Sequence, residues 1–115
     1  MTTFTIPLPP STNHIWVASG KRRYLSKEYV AFKGLVAHIV HRERVPKFGA
    51  QRMAVAVELC PPNKRMFDID NRAKALLDAL TACGVWADDS QVDQLHLKRG
   101  AIVKMGCAVV TLEAL

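Results

Sequence analysis

Alternation of apolar and polar positions predicts the strands of this chain. Residues 4–8 alternate phenylalanine, isoleucine and leucine with threonine and proline, which is typical of a first strand. Residues 52–60 alternate apolar side chains with arginine, alanine and glutamate until two prolines stop the pattern. The remaining strands are predicted as a hairpin at residues 16–17 and 24–25 with a basic tip, and as two strands at residues 92–98 and 107–112.

A hydrophobic repeat of three to four residues predicts two helices. The first extends from an N-cap at Ser26 to about residue 44, and the second from about Asp70 to Cys83, with Gly84 after its end. The residues expected to face the core are Tyr29, Phe32, Val36, Ile39 and Val40 in the first helix and Ala73, Leu76, Leu77 and Leu80 in the second. This order of elements predicts an α+β (mixed α/β) fold, with two main helices and a mixed sheet whose strand order the pattern leaves open.

Size and composition limit the class of protein. A chain of 115 residues is expected to form one small domain over residues 1–115. It has no apolar run close to the roughly 20 residues that are needed to cross a bilayer. It also has no secretion signal, so we expect a cytoplasmic protein without membrane contact. Its three cysteines form no CxxC pair, which favours buried free thiols over a zinc site.

The charge distribution indicates the kind of partner. The net charge is +6, and lysine and arginine greatly outnumber the acidic residues in the first 65 positions. The second half has an acidic excess, most of it in one segment. A basic surface beside clustered carboxylates predicts a nucleic-acid partner and a metal site rather than a protein that only coats DNA.

The candidate chemistry lies in residues 67–74 and 86–91. Asp68 and Asp70 fall on the same side if the chain is extended there, and Lys74 follows Asp70 by one helical turn. The chain must return to the sheet after the helix, which would bring Asp88 or Asp89 towards the first pair. Converging carboxylates form the hard oxygen site that Mg²⁺ prefers, and a lysine aimed at phosphate adds electrostatic stabilisation, so the pattern predicts metal-assisted cleavage of nucleic acid.

Each of these residues also has a purely structural interpretation. Asp70 alone is compatible with a helix cap, and Asp88-Asp89 with an ordinary turn. Asp70, Lys74 and Asp78 together are compatible with a salt-bridge ladder on a solvated helix face. Taken together, the structural interpretations require acidic residues to cluster by accident within a basic protein.

Three segments resemble the RusA family of Holliday-junction resolvases of bacteria and their phages. The segments are Leu8-Pro9-Pro10-Ser11-Thr12-Asn13, then Asp68 to Lys74 with Asp78-Ala79-Leu80, then Gly84 to Val92, and they occur in the order and spacing of the family. The resemblance covers essentially the whole chain and implies a RusA-like fold. It also implies a homodimeric, Mg²⁺-dependent endonuclease, with Mn²⁺ as the alternative ion, that binds four-way DNA junctions and nicks two opposing strands symmetrically in recombination and repair.

Roles for individual residues follow from this resemblance. The essential carboxylates of the family match Asp68, Asp70 and Asp89, and its essential lysine matches Lys74. Supporting roles are implied for Asn71, Asp78, Asp88 and Gln91, with Asp78 assisting Lys74. The candidates for contacts with the DNA backbone come from the basic residues of the chain rather than from the resemblance, and they are Lys21, Arg22, Arg23, Lys64, Arg65 and Arg72. Phe67 is interpreted as a core residue, the alternative being a stack on an unpaired base at the crossover.

Symmetry gives an independent reason for a dimer. One chain supplies one candidate site, whereas a resolved junction needs two cuts related by a two-fold axis, which a C₂ dimer provides. Two other functions stay open: a broader structure-selective nuclease acting on flaps or forks, and a non-catalytic phage DNA-binding protein.

Overall fold

The computed structural model describes the backbone of residues 1–11, 16–19 and 22–115 and the side chains of residues 1–11 and 25–115. The strands are β1 (Thr2–Ile6), β2 (Trp16–Ser19), β3 (Arg22–Leu25), β4 (Met53–Cys60), β5 (Val92–Arg99) and β6 (Cys107–Ala114). The helices are α1 (Lys27–Arg42) and α2 (Asp70–Ala82), with a 3₁₀ turn at Asp89–Gln91. Within these described ranges, a mixed sheet and two helices confirm the predicted α+β fold.

The main sheet has the strand order β1-β6-β4-β5. β4 pairs in parallel with β5 and antiparallel with β6, while β1 pairs antiparallel with β6. β2 and β3 form the predicted hairpin as a separate two-stranded sheet. Because β4 and β5 are parallel, the chain between them must cross over, and α2 makes that crossover.

The core lies between one face of the sheet and the two helices. Alternate residues of β4 from Met53 to Leu59 are buried, as their period-two pattern predicts. In α1, Tyr29, Phe32 and Val36 are buried, and Ser26 caps the helix by accepting a hydrogen bond from the Tyr29 amide. Burial of these side chains supplies the main driving force that holds both helices against the sheet.

Three details differ from the sequence-based expectations. The buried stripe of α2 consists of Ala75, Leu76, Ala79 and Leu80, which belong to the core cluster, whereas Ala73 and Leu77 lie at the edge of this stripe and are only partly buried. β1 ends at Ile6, since Pro7 has no amide hydrogen to continue the ladder. α1 ends at Arg42, and Arg44 adopts a left-handed backbone (φ +54°) that cannot continue a right-handed helix.

The end of α2 follows the prediction. Gly84 has φ +82°, the left-handed conformation that glycine adopts without steric cost after a helix. Val85 and Trp86 are then buried, and the Trp86 indole donates to the Thr81 hydroxyl at 2.7 Å. This contact turns the chain back towards the start of β5. Neither helix among the described residues is long and apolar enough to cross a membrane.

Candidate active site

Asp68 and Asp70 lie where the chain passes from β4 into α2. Asp68 belongs to an irregular segment after β4, and Asp70 is the first residue of α2. Ile69 occupies the N-cap position without a side-chain hydrogen bond, so Asp70 is not a helix cap. Both carboxylates are exposed, and Asn71 donates from Nδ2 to Asp68 Oδ2 at 3.4 Å. Negative charge is favoured near the start of a helix because the amides of its first turn carry partial positive charge.

Lys74, one turn further, connects two elements of the site. Its Nζ donates to Asp78 Oδ1 at 2.9 Å, the i,i+4 pair that the spacing predicts, and lies 3.9 Å from Asp89 Oδ2. The hydrogen bond with Asp78, with further contributions from the charges of Asp78, Asp89 and Asp88, raises the pKa of Lys74. The ammonium is therefore held in its charged form between α2 and the 3₁₀ turn.

A tyrosine from the core completes this chain of contacts. The Tyr29 phenol donates to Asp78 Oδ2 at 3.3 Å, while the other oxygen of the same carboxylate accepts from Lys74. Burial, reinforced by the neighbouring Asp78 carboxylate, raises the pKa of Tyr29 to about 12. The phenol therefore stays a hydrogen-bond donor at neutral pH and fixes the orientation of Asp78. Periodicity predicted that Tyr29 is buried, but nothing in it revealed the partner of the hydroxyl.

Asp88 and Gln91 build the turn that presents Asp89. Asp88 caps the 3₁₀ turn by accepting from the Ser90 amide and hydroxyl, and these bonds lower its pKa. Gln91 is 5% exposed, and its side-chain oxygen accepts from the amides of Ala87 and Asp88. Its side-chain nitrogen donates to the carbonyls of Gly49 and Gln51 at 2.8 and 2.6 Å.

The three predicted metal ligands are not gathered around one point in this conformation. Among the described residues, no three His, Cys, Asp or Glu side chains are placed to hold a metal ion. The crossover accounts for this, because Asp68 and Asp70 follow the end of β4 whereas Asp89 precedes the start of β5. The side chain of Lys74 reaches across that gap. The donor chemistry still fits a hard cation, since all three groups are carboxylates with some solvent exposure.

A basic groove lies beside Asp68. Its volume is about 600 Å³, and its polar lining includes Lys64, Arg65, Asp68 and Arg99. Arg99, which the sequence analysis did not single out, donates from Nη2 to the Phe67 carbonyl at 2.7 Å. Phe67 is partly buried against the core, and its ring is flanked by the guanidinium groups of Arg72 and Arg99 at 5.1 and 4.4 Å.

The remaining predicted DNA contacts are placed differently. Arg72 donates from Nη1 to the Pro9 carbonyl at 2.7 Å, and burial lowers its pKa. Its guanidinium is thus engaged with the N-terminal segment and with Phe67 rather than extended into solvent. Lys21 lies outside the described residues, and Arg22 and Arg23 belong to β3 with side chains outside the described set.

Comparison with known proteins identifies the relatives of the chain. The family model described as Endodeoxyribonuclease RusA matches residues 7–110. A protein of Enterobacteria phage HK97 named crossover junction endodeoxyribonuclease RusA is 32% identical over 114 residues, which cover 96% of this chain and 95% of the phage protein. Proteins of the same name from Escherichia coli K12 and from Enterobacteria phage 82 are each 32% identical over 108 residues, which cover 94% of this chain and 90% of each relative.

The matched region contains Asp68, Asp70, Lys74 and Asp89 together with the elements that carry them. Both the family model and the relatives extend over nearly the whole chain, so the similarity is not confined to a motif. This chain therefore belongs to the RusA family of endodeoxyribonucleases.

Proposed function

We propose that this endodeoxyribonuclease resolves four-way DNA junctions as a homodimer, by a pair of symmetric nicks that depend on Mg²⁺ or, as the alternative, Mn²⁺. The observation that carries the proposal is the position of Lys74, whose ammonium bridges α2 and the 3₁₀ turn in the segment where the carboxylates lie. The names of the full-length relatives support junction DNA as the substrate.

Asp68, Asp70 and Asp89 would hold the metal ion. The chemistry that a bound divalent ion supplies in such a site is activation of water as a nucleophile and neutralisation of charge on the phosphate. Since the three carboxylates are not gathered in the conformation described, Asp89 would have to give up its contact with Lys74 to share a metal ion with Asp68 and Asp70.

Lys74 is the candidate for stabilising the developing charge on the scissile phosphate. A charged ammonium is most effective there when its orientation is fixed in advance. Asp78 supplies that orientation, because one of its oxygens accepts from Lys74 and the other accepts from Tyr29 in α1. Without the Asp89 contact, Lys74 would still be anchored by Asp78.

The groove whose lining includes Lys64 and Arg65 is the candidate path for a DNA strand. It adjoins Asp68, so a strand following it would carry a phosphate past the first carboxylate of the site. Contacts of lysine and arginine with phosphates position DNA without reading its sequence, so recognition by branched shape is expected. Lys21, Arg22 and Arg23 remain predicted contacts on the hairpin.

A homodimer follows from the number of cuts. Each chain carries one candidate site, and two nicks on opposing strands require two sites related by two-fold symmetry. We expect both sites to act on one bound junction, so that nicked junctions with a single cut are short-lived.

Cleavage of synthetic substrates tests the proposal. The purified chain is incubated with an end-labelled four-way junction, a flapped duplex, a forked duplex and a linear duplex, each with Mg²⁺, with Mn²⁺ and with EDTA. Paired symmetric nicks in the junction that require the metal ion are expected. Preferential cutting of flaps or forks would instead indicate the broader structure-selective nuclease, and binding without any cutting would indicate a non-catalytic DNA-binding protein.

A further inference from the structure

Arg99 makes two contacts with the residue that precedes Asp68. Its Nη2 donates to the Phe67 carbonyl at 2.7 Å, and its guanidinium carbon lies 4.4 Å from the centre of the Phe67 ring. One side chain thus fixes both the backbone and the ring of Phe67. Asp68 is bonded directly to that residue, so any rotation of the Phe67 peptide moves the Asp68 carboxylate.

Arg99 approaches Phe67 from a well-anchored strand end. The parallel pairing of β4 and β5 extends to the pair Leu59 and Arg99, and the Gly100 amide donates to the Leu59 carbonyl at 2.8 Å. Nζ of Lys98, the residue before Arg99, lies 3.1 Å from Oε2 of Glu58 on β4. The backbone of Arg99 is therefore fixed by strand pairing, whereas residues 61–68 contain neither helix nor strand.

Arg72, the other arginine near the ring, makes a different hydrogen bond. It lies 5.1 Å from the ring centre, but its guanidinium donates to Pro9 rather than to the segment that carries Asp68. Among the described contacts, the side-chain hydrogen bond to the Phe67 carbonyl comes from Arg99.

We propose that Arg99 is the positioning residue for Asp68, acting through the carbonyl and the ring of Phe67. The proposal rests on the role of Asp68 in the proposed function. It requires arginine specifically, because the planar guanidinium can donate in its plane while stacking on a ring. A lysine keeps the charge but cannot make both contacts, so the Phe67–Asp68 peptide would lose its contact with β5 while the groove kept its charge.

Arg99→Lys and Arg99→Ala in the full chain separate this role from a direct phosphate contact. Arg42→Ala is the control, since Arg42 is an exposed arginine paired with its neighbour Glu43 at the end of α1. The first measurement is amide hydrogen exchange at Asn71 and Arg72, whose amides donate to the carbonyls of Asp68 and Ile69. Exchange at these two amides is expected to accelerate about tenfold in both Arg99 variants and to stay unchanged in the control.

The second measurement compares junction affinity without metal and the cleavage rate at saturating junction. Arg99→Lys is expected to keep its affinity within about twofold and to lose roughly 10–100-fold in rate, the range found for residues that orient metal ligands. The proposal would be overturned if Arg99→Lys showed wild-type amide exchange and a wild-type cleavage rate while Arg99→Ala alone lost junction affinity. That result would indicate that Arg99 contacts a phosphate. Because the exchange measurement needs no cleavage, it decides the role of Arg99 even if the chain fails to cut junctions.

Discussion

The phenol of Tyr29 on α1 donates a hydrogen bond to the carboxylate of Asp78 on α2, across 3.3 Å. This contact joins a core residue of one helix to the residue that holds Lys74 on the other. Asp78 is thereby fixed from two directions, and the packing of α1 against α2 sets the orientation of the candidate catalytic lysine. A movement of α1 relative to α2 would therefore change the position of the Asp78 carboxylate and, with it, the orientation of Lys74.

Tyr29→Phe is expected to lower the cleavage rate several-fold while leaving junction affinity unchanged. The substitution keeps the ring in the core and removes only the hydrogen bond to Asp78, so Lys74 loses part of its orientation but none of its charge. The loss of one hydrogen bond should reduce the free energy of unfolding by about 0.5–1.5 kcal/mol. An unchanged rate at saturating junction would show that Asp78 orients Lys74 without help from Tyr29.

The same pair predicts a pH dependence of stability. The pKa of Tyr29 is raised to about 12 from an ordinary value of 10.0, so the folded chain retains this proton more tightly than the unfolded chain does. The contribution of Tyr29 is then fully present below pH 10 and is lost as the pH rises towards 12. The stability difference between wild type and Tyr29→Phe should shrink over that interval in urea titrations. A constant difference would contradict the raised pKa of Tyr29.

The helix pattern predicted Lys74 beside Asp78, because residues four apart face each other on any α-helix. It also predicted that Tyr29 is buried, but its bond to Asp78 depends on how two helices pack, which the period of one helix does not determine. Similarly, Arg99 reaches Phe67 only because β5 is parallel to β4. Alternation shows which face of a strand is buried and says nothing about its neighbours, so neither strand order nor this contact could be predicted.

Asp70→Asn is expected to abolish cleavage and to keep junction binding. The amide has nearly the shape of the carboxylate, so the start of α2 is retained while one negatively charged metal ligand is lost. Cleavage and gel-shift assays on a labelled junction measure the two effects separately. Glu113→Gln removes one exposed carboxylate at the end of β6 and serves as the control, with near wild-type cleavage expected. Cleavage by Asp70→Asn at the wild-type rate would rule out the metal-ligand role.

Gln91→Glu is expected to destabilise the fold by about 1–3 kcal/mol. A carboxylate can still accept from the amides of Ala87 and Asp88, but it cannot donate to the carbonyls of Gly49 and Gln51, which are left facing a negative charge. Gln94→Glu is the matched control because Gln94 is exposed on β5. Equal unfolding midpoints for the two variants in urea would contradict the buried hydrogen-bond network.

Junction affinity is expected to fall steeply with salt, since binding to phosphates releases counterions. Arg65→Ala should lower the slope of log affinity against log salt by about 1 if Arg65 contacts a phosphate along the groove. Arg42→Ala, at the end of α1, should leave the slope unchanged. Equal slopes for wild type and Arg65→Ala would exclude a phosphate contact by Arg65, and a flat salt response for the wild type would exclude binding through phosphates.

Gly100→Ala, at the connection between β5 and the following loop, is expected to lower the free energy of unfolding by about 1–3 kcal/mol. A Cβ atom at this position would lie 2.6 Å from Glu58 Oε1 and 2.7 Å from Cys60 Sγ, so the side chains of Glu58 and Cys60 would have to shift. Gly34→Ala is the contrasting substitution, because its Cβ would meet nothing within 4 Å on an exposed face of α1. That change should stabilise the chain by about 0.5–1 kcal/mol, the gain of alanine over glycine within a helix. Since Arg99 precedes Gly100, Gly100→Ala should also cleave DNA junctions more slowly, whereas Gly34→Ala should cleave them at the wild-type rate. The decisive outcome in thermal unfolding is that the two substitutions change stability in opposite directions.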